Sequence, residues 1–158
     1  NYTEYKDGAL QDQPVYLNFW CHGAPGIGLS RLSTMKNTSI IDNQMKQEID
    51  IAYHATMTKG FGNSHCLCHG DLGSLEFLSD ANSYFELQQQ KQINQLIQGV
   101  LSSIKKYGWL CGNGLRVEEP GLMTGLAGIG YQLLRLARPD VMPSVLTLEP
   151  PKLASSHP

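Results

Sequence analysis

Apolar residues recur along this chain at helical spacing. The strongest stripe is Ile93, Leu96, Ile97, Val100, Leu101 and Ile104, separated by alternating steps of three and one, as on one face of an amphipathic helix. Gly108 supplies its stop, and Ser83-x-x-Glu86 upstream resembles a capping box for its start. An earlier stripe, Ile41, Met45, Ile49 and Ala52, predicts a second amphipathic helix, and a later one through Leu126, Ile129, Leu133, Leu134 and Leu136 runs until Pro139 ends it. The alternation over 15–19 is a weak strand signal. The carboxyl-terminal segment 141–151 reads as extended and proline-limited. One domain over 1–150 with a disordered tail over 151–158 is expected.

A glycine motif punctuates these stripes three times. Gly23-Ala24-Pro25-Gly26-Ile27, Gly70-Asp71-Leu72-Gly73-Ser74 and Gly125-Leu126-Ala127-Gly128-Ile129 can be laid over one another. A period of roughly 50 residues suits a helical hairpin, a unit that buries its faces only against its neighbours. Each motif is expected to open a short buried helix, over 27–35, 74–78 and 129–137. Buried inner helices alternating with amphipathic outer ones predict an all-α fold, a partial toroid of about three helical hairpins.

Composition narrows the function. Twelve basic and 14 acidic residues give a net charge of -2 without strong clustering, which argues against nucleic acid as a partner. Charged residues make up 16%, below the usual share of about 25%, so part of the surface is expected to be covered by further polypeptide. No apolar run approaches the roughly 20 residues that span a bilayer. The polar start resembles no secretion signal and lacks an initiating Met, so a piece of a longer cytoplasmic protein is expected.

The candidate chemistry lies just ahead of the glycine motifs. Cys21 and His22 precede Gly23, Cys68 and His69 precede Gly70, and the third copy lacks both residue types. Two thiolates, one imidazole and an open fourth position fit a catalytic zinc site (Zn2+) rather than a closed structural one. The metal ligands expected are Cys21, Cys68 and His69. Their places ahead of helix starts should lower the thiol pKa. His22 is the candidate catalytic group; a ligand or a local hydrogen-bonding role remains open for it. Cys66 reads as a spare thiol near the site and Cys111 as a core residue. His65 reads as a loop histidine that could line the site entrance. His54 and His157 read as surface residues. Asp71 either orients His69 or complements the helix start.

Trp20-Cys21-His22-Gly23-Ala24-Pro25-Gly26, Cys68-His69-Gly70 and Gly125-Leu126-Ala127-Gly128-Ile129-Gly130-Tyr131 together resemble the lanthionine cyclase (LanC-like) family. The ending Pro143-Ser144-Val145-Leu146-Thr147-Leu148-Glu149-Pro150 is similar to the carboxyl end of class II lanthipeptide synthetases (LanM), which fuse a dehydratase to a cyclase. The resemblance implies a toroid of seven hairpins with one zinc ion, held here by Cys21, Cys68 and His69. It implies addition of a precursor-peptide cysteine thiol to dehydroalanine or dehydrobutyrine, closing a thioether ring. The family's acid/base histidine and aspartate fall on repeats ahead of the first motif. The expected partners are therefore a dehydrated, cysteine-containing precursor peptide and the amino-terminal cyclase and dehydratase parts. A zinc module that captures a small thiol, an inactive fragment and a purely structural zinc are the alternatives; a fourth protein ligand, such as Cys66 or His22, would mark the last.

Overall fold

Each repeat glycine is followed at once by a helix. The structure, a computed structural model, describes residues 5–6, 9–10, 17–38, 42–115 and 117–151. Strands β1 (Tyr5–Lys6) and β2 (Ala9–Leu10) pair antiparallel, with Tyr5 opposite Leu10. The rest of the regular structure is helical: α1 (Ala24–Asn37), α2 (Asn43–Lys59), α3 (Asp71–Phe85), α4 (Gln90–Tyr107) and α5 (Leu126–Ala137). Gly23, Gly70 and Gly125 are the N-caps of α1, α3 and α5. These three helices start earlier than the sequence pattern predicts because the second glycine of each motif lies inside the first turn.

Helix α3 is the centre of the assembly. Every residue from Asp71 to Leu78 is buried, and α1, α2, α4 and α5 all pack against it. Leu29 and Leu32 of α1, Phe77 and Leu78 of α3, Ile93 of α4 and Ile129 of α5 meet in one core. The outer helices follow their stripes: Ile49 and Ala52 of α2 and Ile93 and Val100 of α4 face inward. Ile41 lies outside the described residues. Leu134, assigned to the α5 stripe, is 60% exposed. No helix among the described residues is long and apolar enough to cross a membrane.

Three local expectations are corrected. Ser83 and Glu86 do not cap α4; Ser83 sits in the last turn of α3, and Glu86 ends that helix in a left-handed conformation, φ 51°. Asn82 makes the junction instead, its side chain accepting from the Gln89 amide at 2.9 Å. Residues 17–19 form no strand. The segment after α5 is not simply extended: it turns at 145–148 and buries Ser144 and Leu146.

That segment is fastened at several points. Tyr131 Oη donates to the Pro143 carbonyl at 2.9 Å, and Arg135 Nη1 to the Met142 carbonyl at 2.7 Å. The Ser144 hydroxyl donates to Glu76 of α3. The Ser144 amide donates to Glu149 Oε2 at 2.8 Å, and the Glu149 amide returns to the Ser144 carbonyl at 2.9 Å.

Candidate metal centre

The glycine motif is built around a backbone contact. A Cβ on Gly26, Gly73 or Gly128 would lie 1.9, 2.0 or 1.7 Å from the carbonyl oxygen of Trp20, Leu67 or Leu122. In each copy that carbonyl comes from six positions upstream, so the preceding loop is drawn tightly over the helix start. Only glycine leaves room for it. The three loops are then joined in a row, since the Cys21 amide donates to the Cys68 carbonyl at 3.1 Å and the Cys68 amide to the Met123 carbonyl at 2.9 Å. Cys21, Cys68 and Met123 hold equivalent places in the repeat. Neighbouring copies therefore set their thiols side by side.

The ligand atoms of Cys21, Cys68 and His69 lie within 4.8 Å of one another, with Cys21 exposed and the other two half-buried. Tetrahedral zinc with bonds of about 2.0–2.3 Å spaces its ligand atoms roughly 3.5–3.8 Å apart, so about 1 Å of closure completes the fit. His69 Nε2 donates to the Gly112 carbonyl at 2.6 Å. A carbonyl only accepts, so Nε2 of the neutral ring carries the hydrogen and Nδ1 keeps the lone pair that can hold a metal. Phe19 braces the ring edge-on, 5.9 Å between centroids. Two sulfurs and one imidazole nitrogen form a donor set that suits zinc, and among the described residues no fourth His, Cys, Asp or Glu joins the group.

The electrostatics differ from the sequence expectation. The helix start does not lower the Cys68 thiol. Burial, a hydrogen bond with Cys21 and the nearby Cys21 and Cys66 push it up to about 12. Two thiolates side by side oppose one another, and a cation between them reverses that balance.

The other candidates fall into place. Asp71 is not the partner of His69; its carboxylate accepts from the Asn63 amide at 3.1 Å and stays with the loop ahead of α3. Its pKa is raised by burial, partly offset by the Asn63 and Gly62 amides. His65 does not line an entrance but is wholly buried, Nδ1 accepting from the Leu110 amide at 3.0 Å and Nε2 meeting Ser103 Oγ at 2.9 Å. His22 is exposed beside Cys21 and closes a tight turn, its amide donating to the Phe19 carbonyl at 3.2 Å. Cys66 is buried against Ser64 and outside the converging trio, and Cys111 belongs to the core. His54 is exposed, and His157 lies outside the described residues.

Sequence reasoning missed the strap 110–112. It pairs with His65 through the Leu110 carbonyl at 2.7 Å, offers the Gly112 carbonyl to His69, and anchors its Gly112 amide on Thr124 at 2.7 Å. The signal was Gly112 itself, where a Cβ would lie 2.6 Å from Cys66 Sγ and 2.8 Å from His69 Nε2.

Two hollows flank this arrangement. The larger, about 680 Å³, lies between α4 and the loop 61–63, and none of the three converging side chains lines it. The smaller, about 530 Å³, has Cys21 in its wall. The second is the one that bears on chemistry at the thiols.

Comparison with known proteins agrees with this geometry. A family model described as lanthionine synthetase C-like protein matches residues 1–147. The lacticin 481/lactococcin biosynthesis protein LcnDR2 of Lactococcus lactis subsp. lactis is 30% identical over 131 residues, covering 76% of this chain and 14% of that protein. The chain thus spans about one seventh of the length of this curated relative. With a family model over nearly its whole length and the repeated glycine hooks beneath its paired thiols, the chain belongs to the lanthionine synthetase C-like family.

Proposed function

We propose that this chain is the metal-bearing part of a zinc-dependent lanthionine cyclase acting on a dehydrated, cysteine-containing precursor peptide. The observation that carries the reading is the convergence of Cys21, Cys68 and His69 from adjacent repeats in a chain of this family. The lacticin biosynthesis relative supports a peptide substrate, and free thiols suit the reducing cytoplasm.

Cys21, Cys68 and His69 would hold the zinc ion, with one corner left for the substrate. When bound, the ion supplies Lewis acidity that favours the thiolate form of a peptide cysteine near neutral pH. In the reaction the cysteine S–H loses its proton, a C–S bond forms at the β-carbon of dehydroalanine or dehydrobutyrine, and the α-carbon takes up a proton. His22, exposed beside Cys21, would carry one of those protons. Gly112 and Phe19 keep the His69 ring in orientation.

Metal analysis tests the assignment. The purified chain should carry one zinc, and Cys21→Ala and Cys68→Ala should each reduce it at least tenfold while leaving helix content intact. Zinc that survives both substitutions would remove the basis of the reading.

A further inference from the structure

The hollow beside Cys21 has an unusual opposite wall. One side is α1, with Leu29, Ser30 and Ser33, and the other is the carboxyl-terminal turn, with Leu146, Thr147 and Leu148. Its volume, about 530 Å³, falls in the range of about 300–1,000 Å³ typical of small-ligand sites, more than a lone thiol needs.

Two features of the turn stand out. Leu148 is 87% exposed and adopts φ 55°, a left-handed conformation that leucine rarely takes. Such a residue persists only where its surroundings hold it, and the paired Ser144 and Glu149 bonds do so. Thr147 Oγ1 is buried without a hydrogen-bond partner among the described residues, although its amide is held by Ser144 Oγ at 3.1 Å. A costly backbone thus presents an apolar side chain to the hollow, with an unpaired hydroxyl next to it.

We infer that Leu148 and Thr147 are specificity-determining residues for the peptide segment flanking the reacting cysteine. Leu148 packs an apolar neighbour of that cysteine, and the Thr147 hydroxyl, enclosed in the free protein, pairs with the peptide backbone once the turn shifts to admit it. The occupant is the substrate peptide because Cys21, a proposed ligand of the thiol-activating ion, opens into the same hollow. The inference rests on the proposed function.

The test compares two probes on the zinc-loaded chain by titration calorimetry: acetyl-Leu-Cys-Leu-amide and N-acetylcysteine amide. The wild type should favour the tripeptide by about tenfold, the effect of shielding part of a leucine side chain. Leu148→Asp should bring the ratio close to one. Thr147→Val should lower it severalfold without lowering Tm, which a structural hydroxyl would not permit. A ratio unchanged in both variants overturns the inference and leaves the proposed function standing. Failure of N-acetylcysteine amide to bind the wild type sinks the proposed function and this inference with it.

Discussion

Two buried titratable residues set opposite pH slopes on stability. His65 is held neutral by its bonds to Leu110 and Ser103, and burial lowers its pKa from 6.5. As pH falls below about 6.5, the unfolded chain takes up a proton that the folded chain resists, so this contribution is lost in acid. Glu76 behaves the other way. Burial raises its carboxyl from 4.5 to about 7, against the Ser144 bond and the Arg135 charge, with Asp80 and Glu149 adding to the rise. Between those values the unfolded chain ionises first, so stability falls as pH rises from 4.5 to about 7. Tm measured from pH 4.5 to 8 should therefore decline more steeply with rising pH in His65→Gln than in wild type. Glu76→Gln should remove most of the decline, the remainder belonging to the buried Asp71 carboxyl. Curves parallel to wild type would refute both assignments. Neither role was readable in the sequence, because the partners of His65 lie 38 and 45 residues away and those of Glu76 include Ser144, 68 residues on.

At the scale of elements, the repeated glycines were legible as a pattern and not as a cause. Periodicity gave the inward faces of α2 and α4, since Ile49, Ala52, Ile93 and Val100 are buried as their spacing requires. It could not show that Gly73 receives the Leu67 carbonyl against its α-carbon, a contact that depends on how the loop folds back. The physical account makes two substitutions diverge. Gly73→Ala forces a Cβ onto a backbone oxygen that cannot swing aside, and should cost at least 2–3 kcal/mol, roughly. Gly99→Ala, on α4 with nothing within 4 Å of the added carbon, should stabilise by about 1 kcal/mol. Chemical denaturation of both variants checks this, and equal effects would refute the contact argument. Helix boundaries were less legible for a related reason: the α3–α4 junction is set by the Asn82 side chain, which no local capping pattern marks.

For the molecule as a whole, the metal is the expected link between two repeats that are otherwise joined, among the described residues, by the Cys21–Cys68 backbone bond, the Lys36–Asp80 ion pair and helix packing. A ligand that binds only the folded state stabilises it by about 2.7 kcal/mol at one hundred times its Kd. Zinc should accordingly raise Tm by several degrees in wild type and by none in Cys21→Ala/Cys68→Ala. The trio was legible in the sequence because the repeat placed both cysteines at equivalent positions. The strap 110–112 that orients His69 was not, since nothing local ties Gly112 to a residue 43 positions earlier.

The most direct test is X-ray absorption at the zinc edge of the zinc-loaded chain. It should show two sulfurs at about 2.3 Å, one imidazole nitrogen at about 2.0 Å and one exchangeable light atom, with a third sulfur replacing the light atom when N-acetylcysteine amide is added. A third protein sulfur before any thiol is added, or a shell unaltered by Cys21→Ala, would contradict the account.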